Sequence, residues 1–381
     1  MRSSAQVVII GGGISGCAIA YNLAQKGVRD IVVVEKNYIS SGATGRCGAG
    51  IRQQWGAEMN CLIAKASIEA FKSLQEELDY ERDIELKQGG YLLLATSKEE
   101  NELFKSNIKL QRTLDIPSEF LTPSEALDIV PYLNIDLITG AAFCPTDGHL
   151  NPFLATDAYY QAAKRLGVTF LTHTEVIGIE TEHDAIQAVL TSKGRIITDT
   201  VVNAAGGYSR EISAMAGTDL PVYSERHEIL VTEPIEPMLD PMVMSFSMNI
   251  YCQQTPHGSF IMGRGDDQEE HATTQSSWQF LEKMAKTVTS IMPPIGELRV
   301  IRQWAGLYNI TEDHQPILGP SDVVKGLYIA AGFSGHGFMF GPMTGLLLSE
   351  FILGEERTID VSALSVDRFK TGKLVLEKSV V

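Results

Sequence analysis

Cysteine is scarce: five residues in 381, with no Cys-x-x-Cys pair. An odd count at wide spacing excludes a disulfide framework, a structural zinc and a cysteine-held iron–sulfur centre. It points instead to a reducing compartment, read here as cytoplasmic. The eight histidines lack ligand spacing, so no metal site is expected. Positive charge is also short, with 31 Lys and Arg against 47 Asp and Glu and a net charge of −16. That balance argues against nucleic acid and against docking on an anionic membrane. No apolar run approaches the ~20 residues that cross a bilayer. Residues 7–24 are apolar enough to suggest a signal peptide, but three consecutive glycines interrupt them and fit a buried strand and turn better. Internal repeats and low-complexity stretches are absent. The length leaves room for two domains, each with its own core.

Glycine, by contrast, is plentiful at 34 residues, and its placing carries information. A short apolar strand over 5–10 runs into Gly11-Gly12-Gly13-Ile14-Ser15-Gly16, followed by helix-forming sequence and a second apolar strand over 31–34 that ends on Glu35. This is G-x-G-x-x-G in the setting it requires: strand, glycine turn, helix, strand, acid. Gly11 permits the tight turn, Gly13 lets the backbone approach a diphosphate, and Gly16 lets the helix pack close to the strand. The first helical residues, Ile14 and Ser15, offer free N–H groups and a partial positive charge. Glu35 stands where a carboxylate accepts from a ribose hydroxyl, and a glycine-rich turn of purely structural purpose would leave it unexplained. The unit predicts a bound dinucleotide.

Further along, the pattern predicts helices over 14–26, 58–78, 98–114, 152–167, 277–291 and 342–353, and a capping box at Thr122-Pro123-Ser124-Glu125. Strands are expected at 91–95, then as a meander over 174–181, 185–191 and 195–202, and at 228–232, 249–253, 259–263 and 299–308. A buried strand over 327–331 leads into a second glycine-rich loop, Gly332-Phe333-Ser334-Gly335-His336-Gly337-Phe338. Nucleotide-domain pieces thus occur at the start, middle and end, as though the chain leaves that domain twice and returns. The division expected is 1–88, 145–218 and 322–381 for the nucleotide domain, with 89–144 and 219–321 forming the other.

Four segments together resemble a known family: 11–16 with Glu35-Lys36, Arg46-Cys47-Gly48-Ala49-Gly50-Ile51-Arg52-Gln53-Gln54, Pro145-Thr146-Asp147-Gly148, and Ala330-Ala331 with the second glycine loop. The sequence is similar to the FAD-dependent amine and amino-acid oxidoreductases of the D-amino-acid oxidase superfamily, especially sarcosine oxidases and the β subunits of dye-linked L-proline dehydrogenases. Hydrogen cyanide synthase and opine oxidase subunits are similar too. The resemblance implies an α/β plus α+β fold: a glutathione-reductase-type, Rossmann-like FAD domain interleaved with a substrate domain on a mixed, largely antiparallel sheet. It implies FAD with Glu35 and Lys36 at the adenosine ribose, Val176 beside the adenine, Ala205 and Gly206 closing the pocket, and 41–46, including Thr44 and Arg46, along the diphosphate and ring approach.

The same resemblance implies hydride transfer from the carbon beside nitrogen to flavin N5. Gly335, His336 and Gly337 would bring N–H groups to the ring where negative charge develops, although His336 could also be a satisfied structural histidine. Arg52 would bind the substrate carboxylate with its planar fork, the alternative being an arginine between domains. Tyr251 falls where the family has a substrate-site tyrosine, or else belongs to the core. Cys47 reads as a buried packing residue. Three departures stand out. Met339 occupies the place of a carboxylate-binding lysine. Gly306 occupies the place of the cysteine that tethers FAD, so FAD is expected to be non-covalent. Phe260-Ile261-Met262-Gly263 lacks the lysine that activates oxygen. The leading expectation is a dehydrogenase of a small amino acid or secondary amine, L-proline or sarcosine, that passes electrons to partner subunits carrying FMN or iron–sulfur centres. A peroxide-forming oxidase and a non-catalytic FAD-anchoring subunit are the alternatives, and a flavin monooxygenase would need NAD(P)H.

Overall fold

The computed structural model describes residues 3–265, 273–377 and 379. Strands Val7–Ile10 and Ile31–Val34 consist of buried β-branched residues that pair in parallel. Strands buried on both faces form the centre of a parallel sheet. Six strands compose it, in the order Ile317–Pro320, Leu327–Ala331, Val201–Asn203, Val7–Ile10, Ile31–Val34 and Thr169–Leu171. Only Ile317–Pro320 runs antiparallel to its neighbour. Segments from the start, middle and end of the chain therefore share one sheet. Val7, Ile9, Ile31 and Val33 pack on one face with Ile19 and Leu23 of the helix Ile14–Gln25 and Leu347 and Leu348 of the helix Gly341–Leu353. These helices cross closely because Gly345 has no side chain; a Cβ there would lie 2.7 Å from that of Ala18. Val8, Ile10, Val32 and Val34 face the other way, onto Ile179, Val189 and Ile196 of a three-stranded meander.

The meander differs from the expected one. The strand expected over 195–202 is two strands in two sheets: Gly194–Ile197 completes the meander, and Val201–Asn203 enters the parallel sheet beside Val7–Ile10. The break falls where Thr198 Oγ1 accepts from the Thr200 N–H at 3.2 Å and turns the chain.

An eight-stranded sheet carries the rest, in the order Val300–Ile310, Tyr223–Pro234, Ser259–Gly265, Ile250–Gln254, Met242–Ser245, Tyr91–Ala95, Gly140–Cys144 and Glu119–Leu121. It is mixed and largely antiparallel, Met242–Ser245 against Tyr91–Ala95 being its parallel pair. The helix Trp278–Ile291, capped by Ser277 Oγ accepting from the Phe280 N–H at 3.1 Å, packs Phe280, Met284 and Val288 into its core. Strands Tyr223–Pro234 and Val300–Ile310 are longer than expected, at 12 and 11 residues.

A buried ion pair ties the short helix Arg368–Thr371 to the loop after Val300–Ile310. Arg368 Nε and Nη2 donate to Asp313 Oδ2 and Oδ1 at 2.7 and 3.0 Å. Burial pushes the Asp313 carboxyl up, but the Arg368 bonds outweigh it and hold the pKa below the usual value. Arg368→Gln strands that carboxylate and is expected to cost about 3–5 kcal/mol in denaturant unfolding near neutral pH. A depressed carboxyl pKa stabilises above the unfolded value of about 4 and ceases to do so as pH falls through the folded one. The gap between wild type and variant should therefore narrow in acid.

Candidate active site

The first glycine turn lies at the carboxyl ends of the parallel strands, where open α/β sheets bind ligands. Gly11 has φ +116°, and a Cβ there would stand 2.3 Å from the Ala204 carbonyl oxygen. A Cβ on Gly16 would stand 2.0 Å from the Gly11 carbonyl oxygen, so helix and turn touch through bare backbone. Gly13 caps the helix Ile14–Gln25 without a side-chain bond. Thr44 Oγ1 reaches over that end and accepts from the Ile14 N–H at 3.1 Å, while the next helical residue, Ser15, is half-buried. Glu35 braces the turn: Oε2 accepts from the Gly12 N–H at 2.8 Å, and Oε1 accepts from the Asn37 N–H at 2.7 Å. Lys36, at the surface, pairs with Glu175 at 2.9 Å and lies 5.3 Å from the Tyr208 ring centre; the Glu175 bond raises its pKa.

Val176 is buried in the first meander strand. Ala205 and Gly206 follow Val201–Asn203, and Gly206, at φ +56°, faces open space. Arg46 turns to main-chain carbonyls, with Nε on Ser41 O at 3.2 Å and Nη1 on Ala305 O at 2.9 Å. It thereby fastens the 41–46 loop to the strand Val300–Ile310. Gly306 lies against it, a Cβ there being 3.2 Å from the Arg46 Cβ.

Arg52 follows the short strand Gly50–Ile51, His336 follows the parallel-sheet strand Leu327–Ala331, and Tyr251 lies on the strand Ile250–Gln254 of the eight-stranded sheet. Arg52 is 2 % exposed. Its guanidinium lies 3.9 Å from the Trp55 ring centre, Nη1 donates to Gln54 O at 2.9 Å, and Nη2 donates to Ser379 O at 2.6 Å. Nε has no hydrogen-bond partner among the described residues. His336 stacks edge-on to Trp55 and Phe340, both at 4.9 Å. Neither of its ring nitrogens has a partner among the described residues. Burial, then the Arg52 charge, hold its pKa down at about 3, so the ring is neutral.

The loop carrying His336 turns through Gly335 at φ +95°, and a Cβ there would lie 2.4 Å from the Tyr308 ring. Gly337 packs under Phe333. The helix expected over 342–353 runs from Gly341 to Leu353, separated from the loop by turns closed by Phe340 N–H to His336 O at 3.2 Å. Tyr251 lies across two glycines, its ring 2.8 Å from where a Gly48 Cβ would stand and its hydroxyl 2.2 Å from that of Gly263. Burial raises the pKa values of Tyr251, Tyr91 and Tyr308 and keeps the three phenols protonated.

Sequence reasoning assigned no role to Trp55, Tyr91 or Tyr308. Trp55 had a signal, standing three residues after Arg52; the other two lie on apolar strands and read as core. Cys47, with Sγ 3.1 Å from Thr44 O, has its thiol pushed up to about 12 by burial. Burial raises the other four thiols as well. Since the thiolate is the reactive form, none of the five should react with a disulfide reagent at pH 8 until denaturant is added. One prompt equivalent from the native protein would contradict this.

A glycine turn bare of side chains at a helix start, and a buried guanidinium and imidazole with nitrogens that lack a partner among the described residues, are what a dinucleotide-dependent redox protein would need. The profile of the DAO family, described as FAD dependent oxidoreductase, matches residues 6–351. The chain belongs to that family, and its cofactor is FAD. It is similar to the sarcosine oxidase subunit beta of Rhodobacter capsulatus, with 27 % identity over 97 % of this chain and 90 % of the relative. The namesake from an Arthrobacter species is 28 % identical over 99 % and 94 %. Among solved structures, L-proline dehydrogenase from P. horikoshii superposes with a TM-score of 0.93 at 39 % identity, covering 98 % of this chain and 100 % of that one. Glycine oxidase from Geobacillus kaustophilus gives 0.87 at 26 % identity, over 96 % and 99 %. Among the described residues no helix is long and apolar enough to cross a membrane, and no His, Cys, Asp and Glu cluster could hold a metal ion.

Proposed function

We propose that this chain is a dehydrogenase that oxidises the C–N bond of a small amino acid or secondary amine, L-proline or sarcosine being the leading substrates, and delivers the electrons to a partner chain or a dye. The observation that carries the reading is the match to L-proline dehydrogenase at 39 % identity over 98 % of this chain, and the buried Arg52 with its unpartnered Nε agrees with it.

The residues fit FAD. Gly11, Gly13 and Gly16 leave the backbone bare for a diphosphate, with the Ser15 N–H at its edge beside Thr44, whose hydroxyl holds the Ile14 N–H. Glu35, Lys36 and Val176 would hold the adenosine half, with Ala205, Gly206 and Arg46 bordering the path to the ring. A buried imidazole with two idle nitrogens is costly, and a polar ring system beside 335–337 would give His336 its partner. Bound FAD supplies the hydride acceptor.

The chain's own residues orient the amine. Arg52 takes the carboxylate, its fork offering parallel donors in a site shielded from water. Tyr251, a neutral phenol, would border the bound substrate. The Gly335 and Gly337 main-chain N–H groups would favour the electron-rich side of the ring, the His336 N–H being held by Phe333 O at 2.9 Å. Gly306, opposite Arg46, has no side chain with which to tether the cofactor, which favours a dissociable FAD. Met339 adds no second cation, so carboxylate binding rests on Arg52. The nucleotide domain is 1–88, 145–218 and 322–381, and the substrate domain 89–144 and 219–321. Five free cysteines support a cytoplasmic setting, and the subunit naming of the sarcosine oxidase relatives supports a complex with electron-accepting partner chains, FMN or iron–sulfur centres being the carriers.

A peroxide-forming oxidase is the second reading, favoured by the likeness to glycine oxidase. Phe260, Ile261, Met262 and Gly263 place no cation to stabilise developing superoxide, which favours the dehydrogenase. Steady-state turnover with L-proline and sarcosine decides between them. Dye reduction is expected to exceed oxygen uptake at least tenfold. Equal rates would make the protein an oxidase, and no turnover with either acceptor would leave a subunit that only anchors FAD.

A further inference from the structure

The two residues that follow Arg52 share one buried carboxylate. Asp147 Oδ1 accepts from the Gln53 main-chain N–H at 2.9 Å and from Gln53 Nε2 at 3.2 Å. Its Oδ2 accepts from Gln54 Nε2 at 3.1 Å. Gln54 Nε2 also donates to Tyr91 O at 3.1 Å, and Gln53 Nε2 to Thr146 Oγ1 at 2.8 Å. Asp147 is wholly buried, as are both glutamines. The strand Gly148–His149, which follows Asp147 directly, pairs antiparallel with Gly50–Ile51, which directly precedes Arg52. Strand pairing thus delivers the carboxylate to the turn it holds.

Residues 52–55 belong to no helix or strand. Irregular backbone inside a protein has to find its partners elsewhere. Here Arg52 Nη1 bonds the main-chain carbonyl of Gln54, Trp55 Nε1 donates to Arg52 O at 2.8 Å, and the guanidinium lies on the Trp55 ring. The direction of Arg52 is therefore set by the conformation of 53–55, and that conformation is clamped at 53 and 54 by Asp147. Burial pushes the Asp147 carboxyl up to about 6 against the pull of the two glutamines and of Arg52. A charge held at such a cost, with neutral amides as its direct partners, calls for a reason beyond stability.

We propose that Asp147 is a positioning residue for substrate binding: acting through Gln53 and Gln54, it aims the Arg52 guanidinium at the substrate carboxylate. The inference rests on the reading of Arg52 as the carboxylate binder. Asp147→Asn replaces an acceptor oxygen with an NH2 donor facing amide donors, so one of the two clamps is lost. Gln54→Met removes the second clamp while leaving Asp147 its Gln53 donors.

The test is calorimetric binding of cyclopentanecarboxylate, a proline-shaped carboxylate with no nitrogen to oxidise, to FAD-loaded wild type, D147N, Q54M, R52M and the D147N/R52M double variant. The Kd should rise about tenfold in D147N and in Q54M, and D147N should add nothing once Arg52 is gone, as coupled residues require. In steady state, KM for an amino-acid substrate should rise in D147N while kcat stays within about threefold. Should D147N fail to fold, Q54M decides by the same tenfold shift. Wild-type Kd values in both variants, alongside weakened binding in R52M, would overturn this inference alone. So would additive losses in the double variant, which mark a merely structural carboxylate. No binding by wild type, or no loss in R52M, would overturn the reading of Arg52 and this inference with it.

Discussion

Arg52→Met is expected to lower kcat/KM for an amino-acid substrate by roughly thirtyfold or more while FAD stays bound. Removing one partner of a buried, hydrogen-bonded charge pair costs about 2–5 kcal/mol, and each 1.4 kcal/mol is a factor of ten. Methionine nearly preserves the volume beside Trp55 and Phe246, over which the guanidinium lies at 3.9 and 5.4 Å. The carbonyls of Gln54 and Ser379 lose a donor each, so some stability is lost as well. Two controls separate that loss from the binding effect. FAD content per chain should match wild type, and a carboxylate-free amine should be turned over as before. Arg52→Lys keeps the charge without the fork and should recover only part of the activity. An unchanged kcat/KM in R52M would remove the arginine from the site.

The second large effect is at the glycine turn, where three alanine variants should fall in a set order. Gly16→Ala brings a methyl to 2.0 Å from the Gly11 carbonyl, and Gly11→Ala brings one to 2.3 Å from that of Ala204 at a φ of +116°. Backbone cannot swing aside, so both variants should emerge from dialysis against FAD without colour. Gly13→Ala meets only the Thr44 hydroxyl, at 2.9 Å, and a side chain can rotate away. That variant should retain FAD with weakened affinity, since a methyl now stands where the diphosphate approaches. FAD released by denaturation, measured per chain, gives the order. Full retention by Gly16→Ala would show that the cofactor does not depend on this turn.

The glycine turn was legible because its constraints are local: turn, helix start and Glu35 all lie within one βαβ unit. The family, and the return of segments from the start, middle and end of the chain to one sheet, were legible for the same reason, each motif being short and continuous. Long-range partners were not. Nothing in the run 195–202 separates a meander strand from one that inserts into a parallel sheet, because the choice depends on Val7–Ile10 and Leu327–Ala331. The strand Tyr223–Pro234 opens with Tyr-Ser-Glu-Arg-His-Glu, a polar run that reads as loop until its pairing with Val300–Ile310 is known. Arg52 was identifiable as a residue, but its surroundings were not. One fork nitrogen bonds a carbonyl 327 positions away, and the Gln53 side chain reaches a carboxylate 94 positions away.

The most direct test of amine oxidation at this site is anaerobic titration of the FAD-loaded protein with L-proline, sarcosine and glycine in turn. At least one should bleach the yellow absorbance with one equivalent of substrate per bound FAD, and the colour should return on adding dye. Full colour after all three, with one FAD per chain, would contradict the assignment.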